Sequence, residues 1–179
     1  PEIVQAKRYH IPIIKYADLL GYLMGQRETG IAISGTHGKT TTSSLMAYLL
    51  HRARLEPSFV IGGVPKNFQS NAHCGRGRYF VAEACEYDRS FLNLLPKFAA
   101  ILNIEEDHLD CFESLDAITE AFRAFAALVP EDGVVIAQNL SSPLTKWERG
   151  GGVRGYFISH FSSTFFLKSQ CPPLSSAVG

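Results

Sequence analysis

The run Gly35-Thr36-His37-Gly38-Lys39-Thr40-Thr41-Thr42 follows the apolar segment Gly30-Ile31-Ala32-Ile33-Ser34 and precedes a stretch, Thr41 to Arg54, that reads as helix. Strand, glycine turn and helix start, in that order, predict a phosphate-binding loop. Glycines let the backbone approach an anion with no Cβ in the way, and the helix beyond offers unpaired N–H groups at the positive end of its dipole. Lys39 adds a point charge for terminal phosphates, and the Thr40 hydroxyl stands where a Mg2+ ligand is needed. Gly35, Thr36, His37, Gly38, Lys39, Thr40 and Thr41 are therefore the candidate nucleotide-binding set. The standard P-loop pattern wants a glycine six residues before its lysine; Ile33 holds that place here, so the loop is a shortened variant. His37, between the glycines, is read as shaping the turn rather than as a general base.

A chain of 179 residues, 46% hydrophobic and 19% charged, can bury the core of one ordinary domain. Lys plus Arg and Asp plus Glu both number 17, so no overall basic charge points to a nucleic-acid or anionic-membrane partner. Small anions must be caught locally. No apolar run approaches the roughly 18 residues needed to span a bilayer, and no charged-then-apolar leader opens the chain, which is expected to be cytoplasmic. Cys74, Cys85, Cys111 and Cys171 show no C-x-x-C spacing, so neither a zinc knuckle nor a redox dithiol is expected. The opening at Pro1 does not look like a domain start, and the chain is read as a fragment.

Glu2 to Tyr9 is read as a helix, Ile11 to Ile14 as a short strand, and Tyr16 to Met24 as a helix carrying Leu19, Leu20 and Leu23. Together with the polar hinge Gly25 to Gly30, residues 1–29 are expected to be the end of a preceding domain and its linker. Further strands are expected at Ser58 to Ile61, Arg78 to Ala82, Phe98 to Leu102 and Val134 to Ala137, with an irregular stretch from Gly62 to Gly77 and a short helix from Asp88 to Leu95. Leu115, Ile118, Phe122, Phe125 and Val129 step by three and four, one face of an amphipathic helix with Ser114 as its N-cap. Alternating strands and helices predict an α/β, P-loop-type three-layer domain with a mostly parallel sheet, here incomplete and spanning residues 30–137. After Ala137 the character changes: Glu148 stands alone against Lys146, Arg149, Arg154 and Lys168, beside a glycine run and repeated serines. Residues 138–179 are read as a divergent tail, whose aromatic stretch from Tyr156 to Leu167 suits a hairpin with no evident place to dock.

Ligands of open parallel sheets sit at the carboxyl ends of strands, which gives priority to the residues just past each strand. Glu83 ends one such strand, as the acidic metal-site residue does in P-loop nucleotidases; Glu86 and Asp88 close by leave a solvated acidic turn as the other reading. The run Asn103-Ile104-Glu105-Glu106-Asp107-His108-Leu109-Asp110 sets an imidazole among carboxylates. By spacing alone it suits a second metal site and a surface acidic loop equally.

These segments carry a resemblance. GTHGKTTT resembles the ATP-binding loop of the Mur ligases, which build the peptide stem of bacterial peptidoglycan, and of the related folylpolyglutamate synthases. The segment Glu83-Ala84-Cys85-Glu86-Tyr87-Asp88-Arg89-Ser90-Phe91 is similar to E-A-x-E-x-x-x-S-F, and Asn103 to Asp110 to N-I-x-x-D-H-x-D, of the muramate:L-alanine ligase branch. With Phe59-Val60-Ile61-Gly62-Gly63, four ordered motifs match between Gly30 and about Ala137. The resemblance implies an ATP- and Mg2+-dependent ligase that phosphorylates the lactyl carboxylate of UDP-N-acetylmuramate and joins the acyl phosphate to L-alanine. It also implies catalytic roles for Lys39 and His108, magnesium ligation by Thr40, Glu83 and His108, and a muramate side lined by Gly62 to Gly77, with Lys66, Asn67 and His73 as candidates.

The departures lie outside that span. Gln138-Asn139-Leu140-Ser141-Ser142-Pro143 replaces the family's acidic turn, and the adenine-binding half and closing domain are not recognisable. The chain alone is accordingly expected to lack ligase activity. Rival readings are the ligase that attaches a recycled tripeptide to UDP-N-acetylmuramate, favoured by Val64-Pro65-Lys66-Asn67-Phe68, and a non-catalytic nucleotide-binding remnant; a folylpolyglutamate synthase fits His37 and the Glu83 segment poorly.

Overall fold

Apolar runs too short for helices become the strands of one sheet in the computed structural model, which describes residues 1–105, 112, 114–138 and 155–158. In chain order these residues form helices α1 (Glu2–Arg8) and α2 (Tyr16–Gly25), strand β1 (Thr29–Ser34), helix α3 (Lys39–Arg52), and strands β2 (Ser58–Val60), β3 (Ala72–His73) and β4 (Tyr79–Glu83). A 3-10 segment (Tyr87–Asn93), strand β5 (Phe98–Ile101), helix α4 (Leu115–Ala126) and strands β6 (Val134–Gln138) and β7 (Gly155–Ile158) complete the order. Among the described residues the strand order is β3-β2-β4-β1-β5-β6-β7, with only β3 antiparallel to its neighbour.

Strand β1 is buried along its whole length, because it lies between β4 and β5 and both faces of the sheet are covered. Successive residues of a strand point to opposite faces, and the core divides accordingly. Ile31 and Ile33 of β1 and Val81 of β4 join Phe59 and Ala47 of α3 in one cluster. Ala32, Phe80, Ala82, Ala99 and Ile101 point the other way, toward Leu20 and Met24 of α2, Phe91 and Leu94, and Ile118, Phe122 and Phe125 of α4. This is the expected three-layer arrangement.

Helix α4 begins as its spacing predicts, with the Ser114 Oγ accepting from the Ala117 N–H at 3.2 Å. Ile118, Phe122, Phe125 and Val129 are buried, whereas Leu115 at the first turn stays exposed. Helix α3 starts at Lys39, two residues earlier than expected, because Gly38 takes a left-handed φ of 83° and serves as its N-cap.

Three expectations are corrected or extended. Ile11 to Ile14 form no strand and lie exposed: among the described residues no neighbouring strand offers partners, and Pro12 lacks an N–H to donate. The helix expected from Asp88 is a 3-10 segment in which Asp88 and Arg89 adopt φ of 51° and 54°, so the chain turns sharply where a regular helix would run on. Within the aromatic stretch after Ala137, Gly155–Ile158 is a strand parallel to β6; residues 159–179, where the other arm of the expected hairpin falls, lie outside the described residues.

The last residue of the Glu83-to-Phe91 segment is an anchor for this fold. Phe91 is 1% exposed, stacks on Phe125 with ring centroids 4.8 Å apart, and meets Phe122 edge-on at 5.3 Å. Phe91→Ala is expected to cost about 3–5 kcal/mol of stability, read by urea denaturation; a loss below about 1 kcal/mol would show that α4 and the β4 turn do not share one core.

Candidate nucleotide-binding site

The carboxyl end of β1 is the switch point of the sheet, with β4 on one side and β5 on the other, so the turns after all three strands converge there. Backbone ladders set the level: Ile33 is in register with Glu83, and Ser34 with Ile101. Past the ladders, the buried Ser34 hydroxyl donates to the Ala84 carbonyl at 2.8 Å, and the Leu102 N–H donates to the Ser34 carbonyl at 2.9 Å.

The loop between β1 and α3 is braced from β5. Thr36 N–H donates to the Asn103 carbonyl (3.1 Å), while the Asn103 side chain accepts from the His37 N–H (2.7 Å) and donates to the His37 carbonyl (3.2 Å). The Thr36 hydroxyl accepts from the Glu105 N–H at 2.9 Å. Gly35 has φ of 137°, and a Cβ there would sit 3.0 Å from the Asn103 nitrogen, so this position requires glycine. His37 is exposed, its Nε2 3.8 Å from a carboxylate oxygen of Glu105, in keeping with a turn-shaping residue.

Lys39, Thr40 and Thr41 occupy the first turn of α3, where backbone N–H groups have no partner within the helix. Thr42 is the first to find one, donating to the Gly38 carbonyl at 3.0 Å. The Lys39 ammonium turns back over the loop and donates to the Gly35 carbonyl (2.6 Å), the Thr36 carbonyl (3.0 Å) and Glu86 Oε1 (2.9 Å).

Glu83 and Thr40 meet at the glycine pair after β2. The Gly62 N–H donates to Glu83 Oε2 at 2.9 Å; a Cβ on Gly62 would lie 2.9 Å from that oxygen, and one on Gly63 would lie 3.0 Å from Thr40 Cγ2. An exposed hydroxyl and a half-buried carboxylate beside an open helix start suit Mg2+, which binds through one or two carboxylates together with phosphate oxygens and waters. Cys85, between the two glutamates, has its thiol pushed up, first by shielding of the sulfur from water and further by the charges of Glu86 and Glu83.

The sequence-predicted loop residues and Glu83 are thus brought together; His108 lies outside the described residues. Of the residues proposed for the muramate side, His73 lies in β3 with its ring 5.7 Å from that of Phe59, and Lys66 and Asn67 are exposed on the preceding turn. Sequence reasoning did not single out Asn103 as a brace or Glu86 as the partner of Lys39. Their position just past strand ends was the available signal.

A mostly parallel sheet, with a glycine loop at its switch point and a lysine opening the following helix, defines a P-loop-type α/β domain. A family model, the Mur ligase middle domain, matches residues 33–164, and the chain belongs to that family. It is 48% identical over 136 residues to a UDP-N-acetylmuramate--L-alanine ligase of Caldanaerobacter subterraneus, a match covering 76% of this chain and 30% of that protein. The chain thus spans under a third of that relative. Among solved structures it is similar to a UDP-N-acetylmuramate:L-alanyl-gamma-D-glutamyl-meso-diaminopimelate ligase from Neisseria meningitides, with TM-score 0.75, 30% identity, and coverage of 87% of this chain and 53% of that one. It is also similar to the UDP-N-acetylmuramate-alanine ligase of Thermotoga maritima, with TM-score 0.66, 28% identity, and coverage of 76% and 32%.

Asn103 carries the first test of this site. Asn103→Ala removes both side-chain bonds to His37 and is expected to weaken Mg-ATP binding about tenfold, for a stability loss of about 1–2 kcal/mol. Calorimetric titration beside a melting curve checks it, and unchanged affinity would show that the loop keeps its shape without the brace.

Proposed function

We propose that this chain is the phosphate-binding core of an ATP-dependent ligase of peptidoglycan precursor synthesis, which joins L-alanine to UDP-N-acetylmuramate. The observation that carries the reading is the loop itself: a braced glycine turn presenting first-turn amides that have no partner within the helix, and a lysine, in a chain 48% identical over 136 residues to a protein bearing that name.

In the proposed reaction the lactyl carboxylate of UDP-N-acetylmuramate attacks the γ-phosphorus of ATP, giving an acyl phosphate and ADP. The amine of L-alanine then attacks the acyl carbon and expels phosphate, leaving an amide. Most of this catalysis is positioning and charge stabilisation. The N–H groups of Lys39, Thr40 and Thr41 would hold phosphate oxygens, and the Lys39 ammonium would offset charge gathering on the transferring group. Thr40 and Glu83 would hold Mg2+, which supplies further neutralisation at the phosphates. By the family resemblance, His108 would hold a second Mg2+ near the acyl phosphate, and Gly62 to Gly77 would line the muramate side. Residues 1–29 would then lead out of a UDP-binding domain, residues 30–137 would form part of the ATP-binding domain, and residues 138–179 would be a divergent tail, whose first part, to residue 164, still falls within the family match. The proposed site of action is the cytoplasm, where the nucleotide substrates are found; among the described residues no helix is long and apolar enough to cross a membrane.

One observation favours a second amine. The Neisseria neighbour, at 30% identity, has a name that specifies a peptide rather than alanine. ADP release that depends on that peptide and not on L-alanine would move the assignment to the tripeptide ligase.

The nucleotide role is tested by titrating Mg-ATP into the chain and into Lys39→Ala. Binding by the unaltered chain, weakened at least about a hundredfold by the substitution, is expected from the loss of a charge-assisted contact to phosphate. Equal binding by both proteins would remove Lys39 from the site, and binding by neither would leave the loop as a motif without a function.

A further inference from the structure

Lys39 is already fully engaged before any phosphate arrives. An ammonium has three protons to donate. In this structure the three fall on the Gly35 carbonyl, the Thr36 carbonyl and Glu86 Oε1, at 2.6, 3.0 and 2.9 Å. The pair with Glu86 is secluded, with side-chain exposures of 13% for Lys39 and 3% for Glu86. A phosphate oxygen that takes a proton from Lys39 must therefore replace one of these acceptors. The two carbonyls belong to the loop itself, and Gly35 is fixed by its left-handed φ and its closeness to Asn103. The carboxylate comes from another strand end and carries the same sign of charge as the guest.

The geometry points to Glu86 as a positioning residue that stands in for phosphate: it holds Lys39 folded over the loop when the site is empty and gives the ammonium up to an incoming polyphosphate. This rests on the reading of the loop as a phosphate site and deepens it. Between fixed anions at close range in a shielded place, repulsion is weakly screened. Glu86 therefore opposes polyphosphate binding in proportion to how close the phosphate comes to Lys39. Glu83, engaged with the Gly62 N–H on the outer side, has a different task and is left unaltered in the test.

The substitution that separates charge from shape is Glu86→Gln, whose amide oxygen can still accept from Lys39. The probe is inorganic tripolyphosphate in the presence of EDTA, so that no metal bound by either carboxylate enters the result. Calorimetry is performed on the unaltered chain, Glu86→Gln, Lys39→Met and the double variant, each with a melting curve. The expected result is tripolyphosphate binding about tenfold tighter for Glu86→Gln than for the unaltered chain, with no such gain when Glu86→Gln is added to Lys39→Met. A merely structural Glu86 would not produce that dependence on the lysine. Unchanged or weaker binding by a folded Glu86→Gln chain, with the unaltered chain binding normally, would overturn the proposal while leaving the phosphate site standing. A gain that persists without Lys39 would also overturn it, showing only a general effect of net charge. Absence of binding by all four folded proteins would overturn the phosphate reading, and this proposal with it. Should Glu86→Gln fail to fold, Glu86→Asp provides the second reading: a shorter carboxylate that holds Lys39 less well is expected to bind tripolyphosphate more tightly than the unaltered chain, and equal or weaker binding would overturn the proposal.

Discussion

Two parallel ladders, one on each side of β1, carry the remainder of this structure. They hold Ile33 level with Glu83 and Ser34 level with Ile101, so that three strands end at one height. A parallel ladder of this kind is stable when both of its faces are covered, and here Ala47 of α3 packs beneath one face while Phe91, Phe122 and Phe125 pack beneath the other. Residues far apart in the chain, Gly35, Glu86 and Asn103, come together because the strands before them end side by side. Slippage of either ladder would separate them before any one side chain had changed.

The loop at that convergence is short, with Ile33 standing inside the strand where longer phosphate loops still carry glycine. A short loop has fewer of its own amides to turn inward, and its shape must be imposed from outside. Asn103 supplies this by imitating a strand partner, accepting from and donating to the backbone of His37, and Thr36 is tied to Glu105 in the same manner. Each bond is worth only about 1 kcal/mol net. Their effect on function is larger, because an anion site formed in advance avoids the cost of ordering the loop during binding.

How much of this could be read from the chain depended on where each feature takes its cause. The strands at Ile31, Val81 and Ala99 announce themselves as apolar runs, and α4 by its three-four spacing behind Ser114, because neighbours in sequence decide them. The glycines, Lys39 and Thr40 were legible for the same reason. Ile11 to Ile14 misled because an apolar run becomes a strand only beside another strand. The turn at Asp88 and Arg89 was hidden because its two left-handed residues are not glycines; its backbone is held by bonds from the Arg89 N–H to the Glu86 carbonyl and from the Phe91 N–H to the Cys85 carbonyl. Glu86 and Asn103 could be placed next to strand ends but not assigned partners, since a spacing rule along one segment says nothing of which side chain faces it from another. The parallel pairing of Gly155–Ile158 with β6 depends likewise on a sheet edge formed far upstream.

The two glutamates of one short segment show how such a turn divides labour. Glu83 closes β4, half-buried, with its carboxylate toward Gly62 and the side on which Thr40 lies. Three residues later, just before the sharp turn at Asp88 and Arg89, Glu86 lies under the loop, where it is 3% exposed against Lys39. A buried ion pair is poor evidence of stability, since removing two charges from water costs several kcal/mol per ion, and an apolar pair of equal volume often serves as well. What an apolar pair cannot do is hold a lysine in one conformation through a fixed acceptor. An exposed lysine on a free four-carbon stem would lose about 2 kcal/mol of rotamer entropy on meeting a ligand. Lys39 has largely met that cost through folding, so exchanging one anionic partner for another leaves the stem where it already lies.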